Sequence, residues 1–394
     1  MIALPFKKFR QRLMLFGMSA AYNLVPMLFN VAIAAIVIRL LADSLWGEMV
    51  QLLLWTGLAG NIMAWGNKDY LVRSFSIDPS SIGASWQHSF GSRSLLLPAM
   101  LVLLLFIPMP LPVMAWTGLL LTAKFIYMSY DALIVFRRKF AVTLLLESAG
   151  FIFIGAGIFY LQPADLSVLL SCFAIAEMLK SIAVVLLFRN AVLPLPFRDY
   201  DSNYFKSAFS FFLLYFTGML ASRVDLICIT TFFDKAAVAR YQVLMSFLQA
   251  IQLFIPILLI PYLSFIYRLP VASIRKMALR LFIVGMLIAA IAVFSSSVLL
   301  PVIYRFQYDP VVFLLGWLMV IPGFYYAPLI YRLFKNNRQH IVVLISLLFI
   351  VLTVALIFIL IKILPQPFTA IFIALAMAQW IIGVIYYFAG KQLT

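Results

Sequence analysis

Seven charged side chains stand where charge is expensive. Lys124, Asp131, Glu147, Glu177, Lys180, Arg223 and Asp225 fall within or at the edges of long apolar runs. A charge at the centre of a bilayer costs about 2.5–3.5 kcal/mol on insertion scales, so such residues face a bundle interior or a wet cavity. Lys124 and Arg223 sit near the middles of their runs. Each either lines a cavity or serves a structural partner, a buried carboxylate or a backbone carbonyl.

Spacing sorts the seven. Glu177 and Lys180 are three apart on one helix, so they can neutralise each other as a local pair. Exchanging the two is then expected to preserve function, while either single change harms it. Lys124 and Asp131 share a face two turns apart, about 10 Å, which is too far to touch but close enough to line one cavity. Arg223 and Asp225, read on one continuous helix, lie roughly 200° apart and point to opposite sides. Positions 219, 220, 226 and 227 are Met, Leu, Leu and Ile, so no carboxylate on that face meets Arg223, and Asp131 is the expected resting partner. Glu147 lies near a run's end, where it is expected to snorkel towards water.

The elements that must carry these groups are membrane helices. Of the 394 residues, 65% are hydrophobic and 11% charged, against about 45–50% and about 25% in soluble domains. Too little polar surface exists for a water-soluble particle. A bilayer core needs about 20 helical residues per crossing. Spans are expected at about 13–41, 47–67, 94–113, 114–136, 141–161, 166–188, 206–232, 239–266, 279–301, 311–331, 341–363 and 368–389. The loops between them average about ten residues, which excludes a soluble catalytic domain. The fold class is therefore all-α, a polytopic membrane protein of twelve helices. The basic start, Met1 to Arg12, precedes an apolar run too long for a signal peptide and reads as an uncleaved first helix.

Charge orients the spans. Basic residues gather in alternate loops, among them Lys68, Arg73, Arg93, Arg137, Arg138, Arg275, Arg332 and Lys335. The opposite loops carry Asp43, Glu48, Asp165, Asp234 and Asp309 against few bases. Positive loops stay in the cytoplasm, so both termini are expected there. The net charge of +16 follows from this sorting and implies contact with anionic lipid headgroups, with no nucleic acid as partner.

The chain also reads as doubled. Span one, an acidic loop and span two resemble span seven, its loop and span eight, with a basic linker from Arg189 to Lys206 midway. Two six-helix lobes, 1–197 and 198–394, are expected, related as parallel repeats with substrate between them. Pro26, Pro256, Pro261, Pro322 and Pro328 lie inside spans, with Gly218 and Gly323 nearby. Prolines bend helices, which suits alternating access, though many membrane helices tolerate them without such a role.

Other signals carry little. Asp199–Tyr200–Asp201 spells a metal-binding D-x-D but lacks an α/β domain to hold a nucleotide. His88 and His340 are isolated, and Cys172 and Cys228 both lie in apolar spans, so no metal site, cofactor or disulfide is expected. No phosphate-binding GxxxxGK appears.

Several segments carry a family resemblance. They are Gly66–Asn67–Lys68–Asp69–Tyr70–Leu71–Val72–Arg73, Ser222–Arg223–Val224–Asp225, Phe233 to Tyr241, and Pro261–Tyr262–Leu263–Ser264. Through them the chain resembles the polysaccharide, or O-antigen, flippases of the multidrug/oligosaccharidyl-lipid/polysaccharide exporter superfamily. Ala239 stands where relatives commonly have glycine. The resemblance implies a non-enzymatic flippase in the bacterial inner membrane. It would move an undecaprenyl-diphosphate-linked oligosaccharide from the cytoplasmic to the periplasmic leaflet, alongside a polysaccharide polymerase and a chain-length regulator. Arg223, Lys124 and Lys180 would then meet the diphosphate as charge-assisted donors. Asn23, Asn30 and Asn61 could meet sugar hydroxyls or bond other helices, while Asp131, Glu177, Asp225 and Glu147 would serve as charge partners or coupling groups.

Three alternatives stand beside it. A drug or cation antiporter of the same superfamily would want carboxylates for its cation, yet span one contains none. An oligosaccharide polymerase or ligase would want a long external loop, and an assembly protein would need neither. The topology is checked by reporter fusions. Those after Lys139, Arg198, Lys335 and Lys391 should read cytoplasmic, and those near Glu48, Asp165 and Asp309 periplasmic; inversion beyond Pro110 would overturn the two-lobe reading.

Overall fold

The computed structural model describes residues 6–192, 200–259, 270–336 and 338–391. All regular structure in these residues is helical. The chain divides into two compact units, Met1–Phe216 and Thr217–Thr394. Among the described residues, eight helical segments are long and apolar enough to cross a membrane. The molecule is a multi-pass membrane protein.

In the first unit α1 (Phe6–Leu40) is one rod with Pro26 inside it. The second rod is broken into α2 (Asp43–Ala64) and α3 (Asn67–Ile77), and the third into α4 (Ile82–Arg93) and α5 (Leu96–Leu104). A single turn of 3-10 helix joins these two rods; there Ser80 donates to Asp78 and holds its carboxyl below the ordinary range. The fourth rod comprises α6 (Leu111–Ser129) and α7 (Asp131–Phe136), and α8 (Phe140–Leu161) and α9 (Leu166–Phe188) complete the set. The helix that follows, α10 (Ser202–Ala221), contains the division between the units. Spans two and three therefore reach farther than hydropathy indicated, because α3 and α4 are polar enough to escape it while still packing as helices.

The second unit continues with α11 (Val224–Phe232), α12 (Lys235–Gln252), α13 (Phe254–Leu259), α14 (Val271–Tyr304), α15 (Pro310–Lys335), α16 (Gln339–Ile363) and α17 (Pro367–Lys391). Pro256 lies within α13, and Pro322 and Pro328 within α15. Pro261 and the Pro261–Ser264 segment lie outside the described residues.

Each unit uses the same packing plan. In the first, α6 packs on α9, α1 on α8, α8 on α9, α2 on α6 and α5 on α6. In the second, α15 packs on α17, α11 on α16, α16 on α17, α12 on α15 and α14 on α15. Counted by rods, both are fourth on sixth, first on fifth, fifth on sixth, second on fourth and third on fourth.

Aspartates start the helices. Asp165 Oδ1 accepts from Val168 N at 3.0 Å to cap α9, Asp234 Oδ1 from Ala237 N at 2.7 Å to cap α12, and Asp309 Oδ1 from Val311 N at 2.9 Å to cap α15. Each supplies an acceptor to an otherwise unpaired first-turn N–H and places negative charge at the positive end of the dipole.

The α2–α3 break rests on two successive left-handed residues, Trp65 (φ 43°) and Gly66 (φ 67°). Trp65 stacks on Phe212 at 4.1 Å and donates Nε1–H to the Phe205 carbonyl, drawing the start of α10 onto the bend. The approach is so close that a Cβ on Gly66 would lie 2.6 Å from Phe212 N. A side chain there meets both backbone strain and overpacking, each worth about 1–3 kcal/mol. Gly66→Ala should therefore lower the thermal unfolding midpoint in detergent, whereas Gly57→Ala, with nothing within 4 Å of its added carbon, should leave it unchanged or raise it.

Candidate functional site

The first unit gathers most of the intramembrane charge on three mutually packed rods. Lys124 and Tyr127 come from α6, Glu147 from α8, and Glu177 and Lys180 from α9. Lys180 Nζ lies 2.7 Å from Glu177 Oε1 and 2.9 Å from Glu147 Oε2. Tyr127 donates its hydroxyl to Glu147 Oε1 at 3.0 Å, and the ammonium stands 5.5 Å from the centre of that ring. Gly150 lets the lysine reach α8: a Cβ there would lie 3.1 Å from Lys180 Cδ. The expected local pair is thus present but incomplete. Glu147 does not snorkel; it is the second carboxylate on Lys180, because α8 packs against α9.

Lys124 belongs to the same neighbourhood but forms no ion pair among the described residues. Its nearest donor–acceptor contact is Thr56 Oγ1 at 3.5 Å, and Glu177 and Lys180 are close enough for their charges to bear on it. Asp131, seven residues on, has other company. Tyr130 interrupts the helix between them, and the charges facing Asp131 are Lys68, Glu147 and Arg93. Its Oδ1 is buried without a hydrogen-bond donor among the described residues. Lys124 and Asp131 are therefore served by different groups, although spacing placed them on one face.

A second polar centre was not expected. Arg93, read as a loop charge, is fully buried at 0% exposure. Its Nε donates to Ser89 Oγ at 3.3 Å, Nη1 to the Met63 carbonyl at 3.4 Å and Nη2 to Ser129 Oγ at 3.1 Å. Asn67, 1% exposed, donates to the Met128 carbonyl at 3.3 Å and accepts from Ser89 Oγ at 2.7 Å, while Trp86 donates to the Ser129 carbonyl at 2.8 Å. The Gly66–Arg73 segment thus contributes a bend and a hub that ties rods two, three and four. The spacing Ser89–Arg93 (i, i+4) was the available signal.

In the second unit the chain breaks at Arg223. Helix α10 ends at Ala221, and Arg223 is the N-cap of α11 with φ −130°. The continuous helix assumed for span seven does not exist, so the angle of 200° between Arg223 and Asp225 does not apply. Asp225, 4% exposed, accepts a short hydrogen bond from the Tyr241 hydroxyl, which ties α11 to α12. Arg223 is partly exposed and makes no side-chain hydrogen bond or ion pair among the described residues, though its charge reaches Asp225 and Tyr241. Ala239, on α12, is buried at 0% exposure.

The asparagines divide. Asn30 is exposed on α1, and the side chain of Asn23 lies outside the described residues. Asn61 donates to its own helix at the Gly57 carbonyl, 2.9 Å, leaving a buried Oδ1 without a donor. Asp199 and Arg198 also fall outside the described residues. No cluster of three metal-ligating side chains occurs among those described.

Comparison by sequence finds no matching family model and no matching curated protein. Comparison by structure does find relatives. A lipid II flippase, MurJ, in an inward closed conformation superposes with a TM-score of 0.63 at 13% identity, over 95% of this chain and 86% of that one. An inward-facing multidrug resistance MATE transporter of the MOP superfamily gives 0.63 at 12% identity, over 93% and 94%. A MOP superfamily transporter from Pyrococcus furiosus gives 0.52 at 11%, over 96% and 93%. The chain has the MOP transporter fold. The superfamily resemblance carried by the sequence segments is met at the level of fold, and with it the twelve-helix plan.

The Lys180 cluster revises the charge-exchange expectation. Glu177→Lys with Lys180→Glu would set a new carboxylate against Glu147, so the double exchange should lose function and folded yield. Adding Glu147→Lys should restore both. Lys180→Met, which leaves two partly buried carboxylates without their shared cation, should lower unfolding stability by about 1–3 kcal/mol.

Proposed function

We propose that the chain is a flippase for a polyprenyl-diphosphate-linked oligosaccharide, moving it outward across the bacterial inner membrane. One observation carries this reading over the alternatives: two intramembrane cations, Lys124 and Arg223, are left without an ion pair among the described residues. Glu147 and Glu177 are neutralised by Lys180, Asp225 is bonded by Tyr241, and Asp131 is faced by Lys68 and Arg93. Lys124 and Arg223 have no carboxylate in ion-pair contact among the described residues. Unpaired cations in a low-dielectric setting favour an anionic cargo, and a guanidinium can grip a diphosphate with two parallel hydrogen bonds. The likeness to a lipid II flippase supports the same class of cargo. Export of two negative charges through a potential of about 150 mV, inside negative, releases roughly 7 kcal/mol, so the potential works with the cargo. Surface polysaccharide such as O-antigen is the product this predicts, with the polymerase and chain-length regulator acting after translocation.

A second reading has its own support. The likeness to MATE transporters and the undonated Oδ1 of Asp131 suit a cation-coupled drug antiporter. One experiment separates them. Deletion should cause lipid-linked oligosaccharide to accumulate facing the cytoplasm, with unit synthesis intact and drug sensitivity unchanged. Arg223→Gln should lose most complementation at normal membrane levels, and Arg223→Lys should retain part, since charge survives without the bidentate fork. Drug sensitivity without oligosaccharide accumulation would overturn the flippase reading.

A further inference from the structure

The outer face of α8 marks out the thickness of a bilayer. Ala141, Leu145, Ala149, Ile152, Ala156 and Phe159 are all exposed, and their spacing of three and four draws one apolar stripe along the helix. Other faces of α8 are taken by α1 and α9, with Phe151 stacked on Phe29 at 4.4 Å. One end of the stripe closes on Phe159 and Tyr160, 63% and 82% exposed, aromatic rings of the kind that gather at the headgroup level. Phe140, the first residue of α8, stands about 30 Å from Tyr160 along the helix. That distance matches the hydrocarbon core, so the opposite headgroup plane falls at the residues just before Phe140.

Those residues are Arg137, Arg138 and Lys139. All three are exposed, and none is in an ion pair among the described residues. The backbone is strained to keep the middle one. Arg138 is left-handed, with φ 55°. Lys139 N–H donates to the Ile134 carbonyl at 3.0 Å and Arg138 N–H to the Val135 carbonyl at 3.2 Å, the two bonds of a helix-ending turn whose left-handed residue is usually glycine. Glycine has no Cβ to crowd the following carbonyl in that conformation. The turn instead carries arginine there, between two further cations.

We propose that Arg137, Arg138 and Lys139 bind the headgroup of an anionic bilayer phospholipid whose acyl chains lie along the exposed stripe of α8. Charge complementarity names the headgroup: three cations on one turn attract an anion, and each guanidinium can offer phosphate two parallel N–H donors. The stripe names the rest of the molecule. An acidic protein segment would meet the cations and leave the stripe uncovered, whereas a phospholipid carries its anion and its hydrocarbon in the same order as this surface. The site does not depend on the flippase reading, because its ligand is a lipid of the bilayer and not the cargo.

The test titrates the purified protein in a neutral detergent with dioleoyl phosphatidylglycerol and, separately, with zwitterionic dioleoyl phosphatidylcholine. Bound lipid is read by native mass spectrometry. Phosphatidylglycerol should bind saturably and more tightly than phosphatidylcholine. Each cation near the headgroups is worth about fivefold, so the triple variant Arg137→Gln, Arg138→Gln and Lys139→Gln should bind phosphatidylglycerol about a hundredfold more weakly. Arg138→Gly should weaken binding about fivefold and yet raise the unfolding midpoint in lipid-free detergent, because the strain leaves with the side chain. Lys276→Gln, which removes an exposed base on α14, should behave as the parent. If the triple variant does not fold, Arg138→Gly carries the test. Equal binding of the two lipids by the parent, or a loss in Lys276→Gln as large as in Arg138→Gly, would overturn the proposal. Triad-dependent binding of farnesyl diphosphate without binding of phosphatidylglycerol would overturn it too, by giving the turn to a prenyl diphosphate.

Discussion

A charge withdrawn from water must be met by something, and in this chain the identity of that something organises each unit. In the first unit the answers are internal. Lys180 takes two carboxylates from two helices, and Arg93 takes hydroxyls and a carbonyl from three rods. Such arrangements are costly to break because removing one member leaves another buried and unpaired. They therefore fix the register of α6, α8 and α9, and of α2, α4 and α6, more firmly than apolar packing alone. Lipid-facing leucines and phenylalanines can slide past one another, whereas a lysine held at 2.7 and 2.9 Å by two glutamates cannot.

Much of this was legible in the sequence, at the level where one helix suffices. Long apolar runs gave the crossings, and the Glu177–Lys180 spacing gave a real contact. What escaped were partners from other helices. Nothing local marks Glu147 as the second carboxylate on Lys180, since 33 residues separate them. Positive charge near a span end reads as loop, and so Arg93 and Arg332 were assigned to the surface although both are buried. The breaks were hidden for a different reason. Trp65 adopts a left-handed conformation that its residue type does not announce, and neither Ser222 nor Arg223 is a helix breaker.

The capping aspartates show one residue type answering two constraints. Asp165, Asp234 and Asp309 lie in the loops that carry few bases, which the expected orientation of basic loops places on one side. The same residues satisfy first-turn N–H groups of α9, α12 and α15. Topology and local folding therefore favour the same position, and a loop can stay short because its one acid does both.

The two units share a packing plan without sharing chemistry. Fourth packs on sixth and first on fifth in both, but the first unit breaks its second rod at Trp65–Gly66, and the second unit breaks its first rod at Ser222–Arg223. Carboxylates follow the same divergence. Glu147 and Glu177 sit deep among the rods of the first unit, whereas those of the second, Asp225, Asp234 and Asp309, gather towards one end of it. The second unit is thus polarised along its own helices, acids at one end and Arg275 with Arg332 at the other. A polarised bundle responds to a transmembrane potential and to anionic headgroups in a way that an internally neutralised one does not. Because the packing plan is indifferent to these charges, the two units keep one order of packing while their charges are met in different ways.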